Sequence, residues 1–226
     1  MREALRGRRE VLRLWASEAA AGEPWLANRE VRPTSAAELR ELSDSDEHQG
    51  VCAEVESYPY AEAGRLLEPD DALVVCLDQV QDPHNLGATC RVAEVAGASG
   101  IVIPGRRAAE VTPAVCKASA GAVEHLPLAR VRNLADWLIE AKQAGAWIYG
   151  ADAEAALPYD RPDYQGRVVL VLGSEGRGLR PRVAGACDEL IAVPVRGNVA
   201  SLNVASAAAA LVYGILQVRG DLDRAP

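Results

Sequence analysis

One acid and one base stand among three glycines in Gly173-Ser174-Glu175-Gly176-Arg177-Gly178, directly after the apolar run Val169-Leu170-Val171-Leu172. Glycine-rich turns at the end of a buried strand can cradle phosphate. Here the order is G-x-x-G-x-G rather than G-x-G-x-x-G, and no Gly-Lys-Ser/Thr follows, which excludes a P-loop. On glycine spacing alone, a phosphate cradle and an ordinary tight turn stand level. Glu175 tilts the choice. A carboxylate beside a helix start repels phosphate, so a neutral or cationic ligand, or a sugar hydroxyl, is the better guest.

Three further stretches carry residues of the same kind. Asn85-Leu86-Gly87-Ala88-Thr89-Cys90-Arg91 puts a guanidinium into an otherwise apolar helical stretch, close to Ala88 and Val95 on the helix surface. A partly buried arginine there needs an anionic partner or a ligand. Asp82 and Pro83 read as a turn ahead of it, with Asn85 as the helix cap. Tyr149-Gly150-Ala151 follows an apolar run. Ser201-Leu202-Asn203 enters a last helix, with Ser201 either capping it or offering a hydroxyl to a ligand.

Elements that would position these residues are legible in the apolar pattern. ALVVCLD, GIVIPG, AVEHLPL, AWIYGA, RVVLVLG and LIAVPV are continuous apolar runs that alternate with helical stretches. Helices are predicted over about 85–96, stopped by Gly97; after the Thr112 cap with Pro113 in the first turn, ended by Gly121; from the Asn133 cap to Gly145; and from about Ser201 onward. Strands that are apolar throughout and alternate with helices predict an α/β fold, a parallel sheet covered on both faces. Ligands then belong at the carboxyl ends of the strands, where all four stretches fall.

The first part of the chain reads differently. Residues 2–20 read as an amphipathic helix ended by Gly22 and Pro24, Ser35 and Glu38 make a capping box for a helix through Leu42, and 51–57 alternates like a half-buried strand. The acidic stretch 44–70 suggests a joint, with a small unit over 1–66 and a larger domain over 67–226.

Composition sets outer bounds. The chain has 226 residues, a net charge of −8, 49% hydrophobic residues and no Phe. That charge excludes a protein wrapped in nucleic acid over its whole surface but allows a local basic patch. Lys occurs only at 117 and 142; the dominance of Arg reflects base composition or suits phosphate recognition. The five cysteines form no C-x-x-C pair and read as core thiols in a reducing cytoplasm, with no metal site. No apolar leader is visible, and 204–218 is too short for a bilayer and carries Ser206 and Gln217.

Taken together, NLGATCRVAEVAG, LVLGSEGRGL and VPVRGNVASLNVASAAA resemble, in family order, the three motifs of the SpoU/TrmH family of RNA ribose 2′-O-methyltransferases, within the SPOUT superfamily; the match covers roughly 70–218. EHQGVCAEV, residues 47–55, is similar to the end of the small RNA-binding domain that precedes the catalytic domain in the ribosomal RNA branch. The resemblance implies a C-terminal trefoil knot, S-adenosylmethionine bound there, a homodimer with RNA across the interface, and methylation of a ribose 2′-hydroxyl, foremost in a guanosine of 23S ribosomal RNA. Transfer RNA is the alternative substrate, and a non-catalytic RNA-binding protein the alternative class. By the same resemblance Gly150, Leu172, Gly173, Ile191, Val193 and Leu202 hold the cofactor, mainly through backbone groups. Asn85, Arg91, Glu175, Ser201 and Asn203 form the catalytic set. Arg177, Arg180 and Arg182 would meet RNA phosphate or lie on a solvated face. Against the family pattern, the first strand of the small domain looks missing, with MREALRGR reading as the middle of its opening helix.

Overall fold

The computed structural model describes residues 1–222. The chain divides into two compact units, Met1–Pro59 and Tyr60–Pro226.

In the first unit, β1 (Val11–Ala16) is followed by α1 (Glu18–Ala21), β2 (Arg32–Pro33), α2 (Ala36–Ser43) and β3 (Val51–Val55). The strand order is β2-β1-β3. The long opening helix read over 2–20 is therefore wrong: VLRLWA is the central strand of this sheet. A register shift between Val11 and Arg13 breaks the period of two, so the run mimics helical spacing. Leu14 and Ala16 still point inward and pack with Leu26 and Val51. The capping box is present, with Ser35 Oγ accepting from the Glu38 amide at 3.2 Å.

The second unit runs β4 (Leu73–Asp78), α3 (Pro83–Val95), β5 (Gly100–Pro104), α4 (Pro113–Ala118), β6 (Leu128–Val131), α5 (Leu134–Gln143), β7 (Trp147–Ala151), β8 (Leu157–Pro158), β9 (Val168–Gly173), α6 (Pro181–Ala184), β10 (Glu189–Ala192) and α7 (Val204–Arg219). Its seven strands pair in parallel in the order β6-β5-β4-β9-β7-β10-β8. β4 and β5 are buried along their whole length and β9 up to Leu172. The pleat divides them. Val74, Cys76, Val169 and Val171 pack with Leu134, Leu138 and Ala141 of α5 and with Val183 of α6. The other helical layer is α7, which packs on α3 and β9. This is the parallel sheet with two helical layers that the apolar runs predict.

Local differences have local causes. AVEHLPL holds a short 3-10 turn at Ala122–Glu124, and the strand begins only after Pro127. β8 is an unforeseen two-residue edge strand. Thr112 and Asn133 cap their helices, accepting from Val115 and Ala135 amides. Gly87 in the NLGA stretch exists for packing: a Cβ there would lie 2.5 Å from the Ala118 Cβ, so α3 and α4 could not approach. All five thiols are reduced, and burial pushes Cys187 up to about 12, its approach to Lys142 notwithstanding.

Candidate active site

β4 and β9 are neighbours, yet their onward connections diverge. β4 leads through α3 to β5 on one side, and β9 leads through α6 to β10 on the other. The crevice outside such a pair is where open α/β sheets bind ligands. Asp78 and Gly173, opposite each other in the ladder, mark its floor.

Three side chains meet there. Asn85 Nδ2 donates to Glu175 Oε1 at 3.0 Å, and Asn203 Nδ2 bridges Asn85 Oδ1 at 2.8 Å and Glu175 Oε1 at 2.5 Å. The Val204 amide reaches the same Glu175 oxygen at 3.4 Å. Glu175 thus lies at the N-terminus of α7, where a helix favours an anion. This explains the acid among glycines: the carboxylate occupies the anion position that phosphate would otherwise take. Its second oxygen, Oε2, has no hydrogen-bond partner among the described residues, so the cluster presents an acceptor outward.

Caps decide which side chains are available. Asp82 caps α3 by accepting from the His84 amide at 3.0 Å, with Pro83 in the first turn. The expectation that Asn85 is the cap is corrected, and its amide is left for the cluster. Likewise Asn203 caps α7 through Oδ1, accepting from Ala205 at 2.9 Å and Ser206 at 3.4 Å. Ser201 is not the cap; it is exposed and without a hydrogen bond among the described residues.

Arg91 is exposed rather than partly buried, and no acid pairs with it among the described residues. It stands on the outer side of α3 with Val95, four residues on and 64% exposed. It does not join the hydrogen-bonded cluster. Arg180 and Arg182 are engaged within the chain: Arg182 pairs with Asp136 at 2.5 Å, and Arg180 grips Asp78. Asp78 is fully buried, accepting from Arg180 Nε at 2.7 Å and from the Arg180 amide at 2.9 Å. Sequence reading passed over Asp78, although a carboxylate ending an all-apolar strand was the signal. The pair ties the end of loop 174–180 to β4.

Gly173 is needed by its own loop. A Cβ there would fall on the Gly178 carbonyl, where the Ser174–Gly178 bridge folds the chain back. A side chain at 173 would therefore displace the loop. Gly150 is similarly enclosed, its would-be Cβ 2.8 Å from Cys187 Sγ and Leu179 Cδ1. Beyond them, Leu172 and Ile191 are buried, Val193 is half-buried and Leu202 is 47% exposed. The β9 pairing with β7 ends at Val171, so the backbone of Leu172 and Gly173 has no ladder partner on that side. Val195, Val199 and Leu202 expose apolar side chains on the loop from β10 to α7. Exposed apolar side chains of this kind suit a flat heterocycle such as adenine.

Fold and site define an α/β protein with a polar cluster at a switch point, beside the N-terminus of α7. Residues 72–213 match the SpoU rRNA Methylase family, and residues 1–61 match the domain described as RNA 2′-O ribose methyltransferase substrate binding. The chain belongs to the SpoU methylase family. It is 45% identical over 178 residues, 76% of this chain and 72% of the relative, to YacO of Bacillus subtilis (strain 168), assigned to the TrmH family of tRNA/rRNA methyltransferases. Among solved structures it is similar to the SpoU methyltransferase AviRb from Streptomyces viridochromogenes in complex with AdoMet, with TM-score 0.81, 26% identity, and coverage of 99% of this chain and 88% of that one. An AdoMet-bound rRNA methyltransferase from Sinorhizobium meliloti gives TM-score 0.81 at 26% identity, covering 95% and 83%.

Proposed function

We propose that the protein transfers a methyl group from S-adenosylmethionine to a ribose 2′-hydroxyl of RNA, foremost a guanosine of 23S ribosomal RNA. The observation that carries the chemistry is the Asn85–Glu175–Asn203 cluster at the switch point, with Glu175 Oε2 open. When bound, S-adenosylmethionine supplies a methyl group on a positively charged sulfonium. Leu172, Gly173, Ile191, Val193, Leu202 and the turn at Gly150 are the residues that would hold it, chiefly through backbone groups and apolar contact.

Glu175 accepts from the ribose and turns it; Asn85 and Asn203 hold that carboxylate still. Ser201, exposed beside Asn203, adds a hydroxyl for the ribose or the loop. Arg91 donates toward the developing alkoxide and the adjoining phosphate. It is not the base, because a guanidinium stays charged far above neutral pH. In-line placement of donor and acceptor accounts for much of the rate.

Several features support the wider reading. Residues 1–66 serve as the RNA-binding domain, which the substrate-binding match over 1–61 supports. β9 inserts between β4 and β7, strands formed earlier in the chain, and α7 returns to pack on α3; this supports the C-terminal trefoil knot. Val95, Tyr213 and Val218 are exposed along α3 and α7, a face suited to a second copy, and Arg91 lies on it. Light scattering should give a dimer at micromolar concentration. No helix of the described residues is long and apolar enough to cross a membrane, and none of their His, Cys, Asp or Glu groups could hold a metal. The cytoplasm is the proposed compartment.

Calorimetry tests the donor. Binding should be measurable well below about a millimolar, near −4 kcal/mol, and its absence from the intact protein at that limit overturns the reading. Mapping ribose methylation in ribosomal and transfer RNA from a deletion strain tests the substrate. A missing 23S mark is expected. A missing transfer RNA mark would move the substrate, and no missing mark would favour a non-catalytic RNA-binding role.

A further inference from the structure

A second feature lies along the same edge of the large sheet. A cleft of about 1080 Å³ opens in the second unit, beyond the carboxyl ends of β4, β5 and β6. Its lining includes Arg106, Arg107, Arg130, Arg132, Arg180 and Arg182, against the acids Glu62, Asp136 and Glu140. Six arginines facing three acids is a local excess of positive charge in a chain of net charge −8.

The arginines differ in what they do. Arg180 and Arg182 are paired with Asp78 and Asp136, and Arg130 is held by the Gly105 carbonyl at 2.9 Å and Glu110 at 2.7 Å. Arg106, Arg107 and Arg132 are exposed and have no partner among the described residues. Arg107 and Gln79, both on the lining, adopt left-handed backbone with φ of 57° and 61°. That conformation is unfavourable for a residue with a side chain, so the chain is strained to turn these positions as it does.

We propose that this cleft is a track for the RNA sugar-phosphate backbone, with Arg106, Arg107 and Arg132 each meeting a phosphate. Two observations favour a chain of phosphates over one small anion. The lining spans three adjacent strand ends, about 10 Å at the usual strand spacing, farther than one phosphate reaches. It is also continuous with the ribose site: Arg180 lines the cleft and ends the loop that carries Glu175 five residues earlier. An RNA strand in the cleft is thereby directed toward the Asn85–Glu175–Asn203 cluster. The identity of the polyanion rests on the transferase reading; the basic cleft does not.

Phosphate contacts are independent of sequence, so the test needs no knowledge of the target. The probe is a fluorescein-labelled single-stranded RNA of mixed sequence, of about 20 nucleotides, titrated by anisotropy at several salt concentrations. The variant is Arg106→Gln, Arg107→Gln and Arg132→Gln together; the three are exposed and have no partner among the described residues, so the fold should hold. Affinity should fall about tenfold or more at low salt, and the slope of log affinity against log salt should flatten by about two, at roughly 0.7 per lost contact on single strands. Binding of S-adenosylmethionine should be unchanged. Wild-type affinity and slope in the variant would overturn the track, as would wild-type protein that fails to bind the probe. So would affinity that does not grow from about 4 to 20 nucleotides, because a lone anion site is satisfied by the shortest chain. Loss of the transferase reading would appear separately, as absent binding of S-adenosylmethionine.

Discussion

Two carboxylates lie at the ends of the central strands, and the same loop touches both. Asp78 is fully buried and closed on itself: both its oxygens are taken by Arg180. Glu175 is exposed, holds three donors on one oxygen, and keeps the other open. The first is scaffold and the second is site. A carboxylate sealed from water has nothing to offer a ligand and much to lose if its partner goes, since unpaired buried charge is costly. A carboxylate oriented by two amides and a helix terminus is fixed in place and still able to accept. The loop between them is anchored at Arg180 so that Glu175 can be presented.

The sharpest way to break this comparison is to remove the anchor. Arg180→Ala leaves the Asp78 carboxylate in the interior with one backbone amide, and should cost about 3–5 kcal/mol in denaturant unfolding. A loss below about 1 kcal/mol would class the pair with surface ion pairs and remove the distinction.

Next in size are the effects on chemistry. Arg91→Ala should slow single-turnover methyl transfer about a hundredfold, the scale of one lost preorganised donor, near 2.7 kcal/mol. Stability should stay within about 0.5 kcal/mol, because the side chain is exposed and unpaired. Arg91→Lys should rescue little, lacking the planar fork. Glu175→Gln keeps the shape and loses the charge, and should slow transfer less than Arg91→Ala if Glu175 only orients the ribose. Unaltered transfer in Arg91→Ala would make the arginine structural and overturn its role.

Much of this arrangement is legible in the sequence. The strands β4, β5 and β9 are buried on both faces, so their sequences are unbroken apolar runs, and the glycine-rich end of β9 announced a site. Pairs of rival caps were not resolved. Asp82 and Asn85 are both good caps, and Pro83 was the usable signal, because proline favours the position just after the cap. Ser201 and Asn203 offered no such marker. β1 was misread because a bulge disturbs its alternation. The basic cleft was out of reach for another reason: its arginines come from residues 106 to 182 and meet only through the strand order.

The smallest effect distinguishes two jobs held by one side chain. Asn203 caps α7 through Oδ1 and steadies Asn85 and Glu175 through Nδ2. Asn203→Ala loses both, and the cap alone should cost about 1 kcal/mol. Asn203→Asp keeps a first-rate cap, so a residue that merely caps would tolerate it fully. In this site the new carboxylate oxygen falls where Nδ2 lies 2.5 Å from Glu175 Oε1, and donor turns into like charge. Repulsion near the surface is of order 1 kcal/mol or more, which should cancel the gain from the cap and leave Asp no better than Ala. Salt separates the two causes. Raising it from about 0.05 M to 1 M shortens the Debye length to about 3 Å, so the Asp deficit should shrink while the Ala deficit stays. Thermal melts of both variants across that range are the measurement, and an Asp variant as stable as wild type at low salt would reduce Asn203 to a cap.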